Sequence, residues 1–178
     1  TLVCVLPGKV VRAKSELKDG YKSLVIGCFP KNKIAKSISN FLKKNNLTEN
    51  YSRYFEIKDD TLNIGEEVGI DNFAIGDDIT AVGISKGKGF AGTVKRHSFA
   101  TGPKTHGSHN YRQPGSIGSA YPQRVVKGKK MPGRMGSDQI TVKHLKVNAV
   151  DKTNGTMLIS GSIPGPRKSL LYLIKAVR

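Results

Sequence analysis

Between Asp78 and Asp138 lie 59 consecutive residues without a single carboxylate. The stretch holds 11 Lys and Arg, 11 of the chain's 20 glycines, four of its eight prolines and three of its four histidines. Soluble protein surfaces normally intersperse charges of both signs. Here nothing inside the segment neutralises the cations, so the compensating charge must come from outside it. Glycine and proline at this density defeat a long helix or strand. An irregular loop of such length is out of place inside a compact domain. It makes physical sense if the segment leaves the domain and is ordered against a partner.

The rest of the chain differs in charge. Residues 1–48 carry a net +8, residues 49–78 a net −7 and residues 138–178 a net +5, within a total of +17 over 178 residues. So large an excess carries a self-repulsion cost and points to a polyanionic partner. Nucleic acid is the first expectation. An anionic membrane ranks well behind it, because no basic amphipathic helix of useful length is present. No run approaches the ~18 apolar residues of a membrane span. Thr1–Leu6 is too short for a signal-peptide core, and no small-residue cleavage site follows it. Cys4 and Cys28 sit in apolar runs without a CxxC pair, which argues against a disulfide framework or a zinc ribbon and for a reducing compartment. The acidic block reads as a solvated face, with a basic neighbouring protein as the other reading.

Outside the basic block the pattern is mostly β. Strands are expected over Thr1–Leu6, Lys9–Ala13, Tyr21–Phe29, Ser52–Ile57, Asp78–Ile84, Gln139–Val150, Thr156–Ile163 and Ser169–Val177. Pro7-Gly8, Asn154-Gly155 and Pro164-Gly165-Pro166 mark the breaks, Asn154-Gly155 being a strong hairpin signal. In Gln139–Val150 the apolar positions Ile140, Val142, Leu145 and Val147 slip in phase near His144. Asn32–Asn46 reads as a helix, with Ile34, Ile38, Phe41 and Leu42 on one side, Asn32 as N-cap and Pro30 as the block behind it. The expected fold is mainly β with one short helix: a small β-barrel carrying a long irregular basic loop.

Three motifs invite catalytic readings. Gly87-Lys88-Gly89-Phe90-Ala91-Gly92 matches GxGxxG after a strand. A dinucleotide fold then needs a helix and an acid ~20 residues on. Thr93-Val94-Lys95-Arg96 follows instead, and the next acid is Asp138. The simpler reading is a glycine backbone lying close to phosphates that Lys86, Lys88, Lys95 and Arg96 neutralise. His97, His106 and His109 lack nearby Cys or carboxylate ligands for zinc. Ser98, Ser108 and Ser116 have no local acid to orient a histidine and no GxSxG. Stacking on bases, or bonding to phosphate and ribose, suits these histidines better. No metal, cofactor, small-molecule substrate or catalytic residue is expected. Met131 and Met135, flanking Pro132-Gly133-Arg134, read equally as gap-fillers or as an apolar tip among bases.

Several stretches occur together in a telling order: Ser85–Gly92, Val94–His97, His106–Ser108, Arg112–Gly118, Gly128–Gly136, Gln139–Val142 and Ile163–Pro166. Linked motifs over ~100 residues are far more specific than one glycine pattern. Together they resemble the bacterial-type family of large-subunit ribosomal protein three. The likeness is dense from about residue 79 onward and looser before it. It implies a translation-protein-type β-barrel over 1–97 and 137–178, and a loop over 98–136 that penetrates ribosomal RNA toward the peptidyl-transferase centre. On this likeness Lys104, Arg112, Arg124 and Lys127 join the RNA-binding set along the loop. Lys129, Lys130, Met131, Pro132, Gly133, Arg134 and Met135 form its tip. The implied partners are large-subunit RNA and neighbouring ribosomal proteins, with a role in early assembly. The implied location is the ribosome of a bacterial cytoplasm, a plastid or a mitochondrion.

Members of that family usually begin with a strand containing a Gly-Lys-x-x-Gly-Met-Thr-like run that is not in this sequence. Some carry a methylatable Gln where Arg134 stands, and some a Trp in place of His97. The competing reading is a nucleic-acid-binding enzyme or remodelling factor that uses the glycine loop on a nucleotide. A DNA-compacting protein ranks lower, since no groove-reading element is repeated.

Overall fold

The computed structural model describes residues 1–45, 47, 49–58 and 62–175. In chain order the elements are β1 (Leu2–Cys4), β2 (Gly8–Lys14), α1 (Glu16–Asp19), β3 (Ser23–Pro30), α2 (Lys36–Lys44), β4 (Tyr51–Ile57) and β5 (Glu67–Val68). A 3-10 turn at Ile70–Asn72 precedes β6 (Asp78–Ile84), β7 (Phe90–Ala91), α3 (Thr93–His97), β8 (Gly133–Arg134), β9 (Gln139–Asp151), β10 (Thr156–Ile159) and β11 (Leu171–Lys175). The chain is mainly β, with sheets curled into half-barrels. The strand orders are β1-β10-β9-β6-β11, β4-β3-β2-β5 and β7-β8. No described helix is long and apolar enough to cross a membrane.

Two compact units divide the chain: residues 1–80, 144–162 and 174–178, and residues 81–143 and 163–173. In the first, β2, β3 and β4 pair antiparallel, with Val10 opposite Ile26 and Ile26 opposite Phe55. Side chains alternate across a pleated strand, and here both faces are buried. Val10, Leu24, Ile26 and Cys28 form a cluster with Phe55, Ile57 and Val68 packed against it. Val11, Leu42, Leu47 and Tyr51 form another, joined by Val25, Ile34 and Phe41. The register shifts between Val10 and Arg12, so that Arg12 stands opposite Val25. This bulge brings Arg12 to 5.9 Å from the Phe41 ring centre. The side-chain amide of Asn45 donates to the Val11 carbonyl at 2.9 Å.

Several boundaries differ from the sequence expectation. The helix starts at Lys36 with Ala35 as N-cap, not at Asn32. The β3–β4 pairing continues past Pro30 opposite Tyr51, and the Lys31 amide donates to the Asn50 carbonyl at 2.8 Å. The β3–β4 contact therefore runs up to the residue before the expected helix start, and residues 32–35 stay outside the helix. Ile34 packs on the core from outside the helix, and Ile38 is 37% exposed. The expected end, Asn46, lies outside the described residues. The first strand stops at Cys4, three residues being all that pair with β10. β10 ends at Ile159, where the register against β9 shifts and Gly161 turns at φ 87. β11 starts at Leu171 because Ser169 closes a turn, its amide and hydroxyl both donating to the Pro166 carbonyl. The rest of that expected strand, residues 176 and 177, lies outside the described residues.

The slip expected near His144 is present: His144 sits at φ 57 inside a continuous β9, and the buried residues beyond it are Leu145 and Val147. The turn at Asn154-Gly155 spans 152–155. The Asp151 carboxylate accepts from the Thr153 and Asn154 amides and from the Asn154 side chain.

Candidate nucleic-acid interface

The basic segment begins with a zipper. The Ser85 amide donates to the Asp138 carbonyl at 2.9 Å, and the Asp138 amide to Ser85 Oγ at 3.2 Å. Next, the Lys88 amide donates to the Met135 carbonyl and the Met135 amide to the Gly89 carbonyl, both at 2.9 Å. Phe90 stands opposite Arg134 and Ala91 opposite Gly133. The GxGxxG run is thus one side of an antiparallel neck, and its Lys88 amide is already committed to a protein carbonyl. Gly136 explains part of the glycine demand. It has φ 78, and a Cβ there would lie 2.2 Å from the Lys86 carbonyl oxygen.

A second set of bonds ties the returning chain to α3. Arg96 Nη1 donates to the Met131 carbonyl at 2.8 Å, and His97 Nε2 lies 3.0 Å from the same oxygen. A carbonyl only accepts, so His97 carries its proton on Nε2. Gly133 leaves room for this grip: a Cβ there would come within 2.7 Å of Arg96 Nη1. The five-residue helix α3 was not expected from sequence. It is one turn long, too short for apolar periodicity to register. Thr93 is buried in it, its hydroxyl without a hydrogen-bond partner.

Lys86, Lys88 and Lys95 are exposed, whereas Arg96 and His97 are half-buried in the grip on Met131. The Gly102 amide donates to the Tyr111 carbonyl at 2.9 Å and closes a side loop. Lys104 lies 5.1 Å from the Tyr111 ring centre, a cation–π geometry. His106 and His109 are exposed on that side loop. Every residue from Arg112 to Lys130 is exposed, including Arg124, Lys127, Lys129 and Lys130. Pro132 and Arg134 are exposed, while Met131, Gly133 and Met135 are half-buried. The three histidines are not gathered: among the described residues no three His, Cys, Asp or Glu form a group suited to a metal ion.

Sequence reasoning missed the apolar side chains interleaved with these cations. Tyr121 is 86% exposed and Phe90 79%, and Ile117, Val125 and Val126 are also exposed. The available signal was an aromatic beside a cation, as in Tyr111-Arg112. Rings placed this way offer stacking faces to unpaired bases.

Electrostatics separates this segment from the acidic block. Glu56 accepts from Lys14 and Ser23, each at 2.7 Å. The Lys14 bond leads in holding its carboxyl down at about 2, with Ser23 and Tyr21 contributing. The Lys14 ammonium also donates to the Tyr21 hydroxyl and is shifted upward, chiefly by Glu56. Asp77 is lowered by Lys175 at 2.7 Å and by the Ala74 amide. Asp71 pairs with Lys152 at 2.8 Å. Among the described residues, none of the 11 Lys and Arg of residues 79–137 forms an ion pair.

Glu56, Asp71 and Asp77 have cationic partners, whereas the cations of residues 79–137 form no ion pair among the described residues, a charge pattern that marks the class of structural proteins built around a polyanion. Residues 31–157 match the family described as Ribosomal protein L3, and the chain belongs to that family. Its relatives include the large ribosomal subunit protein uL3 of Desulforapulum autotrophicum, 44% identical over 99% of this chain and 88% of that protein. The uL3 of Natranaerobius thermophilus is 42% identical over the whole chain and 87% of its own length. That of a Geobacillus species is 40% identical, covering 86% of its length.

Proposed function

We propose that this chain is a structural constituent of the large ribosomal subunit that binds its RNA and aids its early assembly. The carrying observation is the set of 11 cations that find no carboxylate among the described residues. Phosphates are the counterions they lack, and each neutralised phosphate releases a condensed cation from the RNA. In this reading residues 98–136 form the RNA-penetrating loop. Lys86, Lys88 and Lys95 contact the backbone ahead of it, and Lys104, Arg112, Arg124 and Lys127 along it. Lys129, Lys130 and Arg134 stand near the peptidyl-transferase region. His97 and Arg96 act at one remove, holding Met131 so that these cations keep their places. Bond-forming chemistry would belong to the RNA. Family membership supports a ribosomal location, and the bacterial relatives favour a bacterial-type particle.

The test is binding of the full chain to large-subunit RNA across a salt series, with duplex DNA as competitor. With ~6 phosphate contacts, log affinity falls against log salt with a slope of about −4 to −5. Because His97 touches Met131, residues 99–129 can be replaced by a short Gly/Ser linker that spares the neck. That version loses five Lys and Arg, and its slope should be shallower by as much as about 4. Equal affinity for RNA and DNA, with an unchanged slope, would overturn the reading. Stabilisation of the chain by a mononucleotide would favour the competing glycine-loop reading instead.

A further inference from the structure

A groove that the RNA-binding reading leaves unassigned lies where three residues of the acidic block, Glu49, Tyr51 and Glu67, meet the first strands. Where β2 begins and β3 ends, Leu6, Pro7, Phe29, Pro30 and Tyr51 line a concavity of about 180 Å³. Leu6 is 49% exposed, and Phe29 is held at φ 61, a conformation rare for a bulky side chain. The volume is below the ~300 Å³ at which small-molecule sites begin, so the groove suits one side chain better than a metabolite. Glu49 and Glu67 stand on its rim. The Tyr51 hydroxyl donates to Glu49 at 2.6 Å and fixes that carboxylate. Lys9, directly opposite Glu67 across β2 and β5, is the third rim charge. Among the described residues neither Lys9 nor Glu67 forms an ion pair.

We propose that this groove receives an apolar side chain carried on a cationic segment of a neighbouring protein. With Lys9 counted against Glu49 and Glu67 the rim is still net negative, which disfavours phosphate and favours a protein partner on a chain that otherwise attracts RNA. The apolar walls take the side chain, while Glu49 and Glu67 take the Lys or Arg beside it. The fit requires both features, since an exposed ion pair alone is worth little and an apolar knob alone has no charge preference. The inference rests on the reading of this chain as part of a ribosomal particle.

The experiment places p-benzoylphenylalanine at position 6 of the full chain, assembled into the large subunit, and maps the photo-adducts by mass spectrometry. A second chain carries the same group at position 121, on the basic loop. The expected position-6 adduct is a peptide of another protein in which Lys or Arg adjoins an apolar residue. Glu67→Lys should lower its yield at least fivefold, and Glu49→Lys with Glu67→Lys further still. Both sites are exposed, and an unchanged circular dichroism spectrum checks that the variants fold. Adducts on RNA, on a second copy of this chain or on an acidic peptide would each overturn the proposal. So would a missing adduct, or a yield indifferent to the charge reversals. If position 121 reaches RNA while position 6 fails, the groove inference falls alone. If the chain does not enter the particle and position 121 finds no RNA, the ribosomal reading falls and takes this one with it.

Discussion

Lys14 and Lys130 carry the same charge in opposite circumstances. Lys14 lies 2.7 Å from Glu56 and also bonds Tyr21, on strands whose other faces build the core. Lys130 is exposed, on a segment with no acid of its own, and forms no ion pair among the described residues. The contrast holds across the two regions. In residues 1–80 and 144–175 Glu56, Asp77 and Asp151 meet cations or amides that the fold brings to them. In residues 81–137 the backbone is held by the neck and by the grip on Met131, and the side-chain charges are left over. Fold stability and charge satisfaction are thus separated along the chain. A protein that had to be stable alone would gain nothing from the second arrangement, whereas one completed by a polyanion would.

Substitutions can break this contrast, and their effects on stability should descend in a set order. Leu42→Ala, at a side chain 1% exposed, should cost about 2–5 kcal/mol in denaturant unfolding. RNA affinity per folded molecule should not change. A loss of affinity without a loss of stability would mean that α2 belongs to the interface. Gly136→Ala should cost more than about 1 kcal/mol, because its φ of 78 disfavours a side chain and its Cβ would strike the Lys86 carbonyl. Hydrogen exchange at the Lys88 and Met135 amides should speed up most, and exchange that quickens only in β2–β4 would contradict the separation.

Lys129→Ala, Lys130→Ala and Arg134→Ala together should change stability by less than about 0.5 kcal/mol. The salt slope of RNA binding should still become shallower by about 2–3, with subunit assembly impaired. Normal subunit profiles and peptide-bond rates would count against the loop's role.

The smallest effect concerns pH. Glu56 is held down at about 2 from an ordinary 4.5. A depressed carboxylate contributes stability above its unfolded value and loses it as pH falls through the folded one. The contribution should therefore fade between about 4.5 and about 2. It will be small, since the pair is largely exposed and screened. Glu56→Gln should flatten the stability–pH curve in that window, and an identical curve would show the pair to be ornamental.

Much of this was legible in the residues. The uncompensated segment is a matter of counting, and tertiary structure does not move a carboxylate into it. The slip in β9 showed in the spacing of Val142 and Leu145, because a two-residue repeat cannot change phase without an irregular residue between them. The hairpin at Asn154-Gly155 followed from turn chemistry. The start of α2 did not, because it depends on Lys31 bonding Asn50, a contact made only once β4 has folded back along β3. Nor did the two-residue strands β7 and β8, which are too short to carry a pattern and exist only because each has the other.

The sequence alone determined the sign and location of the charge, the mainly β character and the family likeness. The first two are additive properties of composition and local periodicity, and the likeness rests on a set of linked motifs read residue by residue. Tertiary structure decided which charges are spent. It paired Glu56 with Lys14 across 42 residues, drew Arg96 and His97 onto the Met131 carbonyl and gathered Leu6, Phe29 and Tyr51 into one groove. Each is a contact between distant positions, fixed by strand register and chain return, and none is written in any local run of residues.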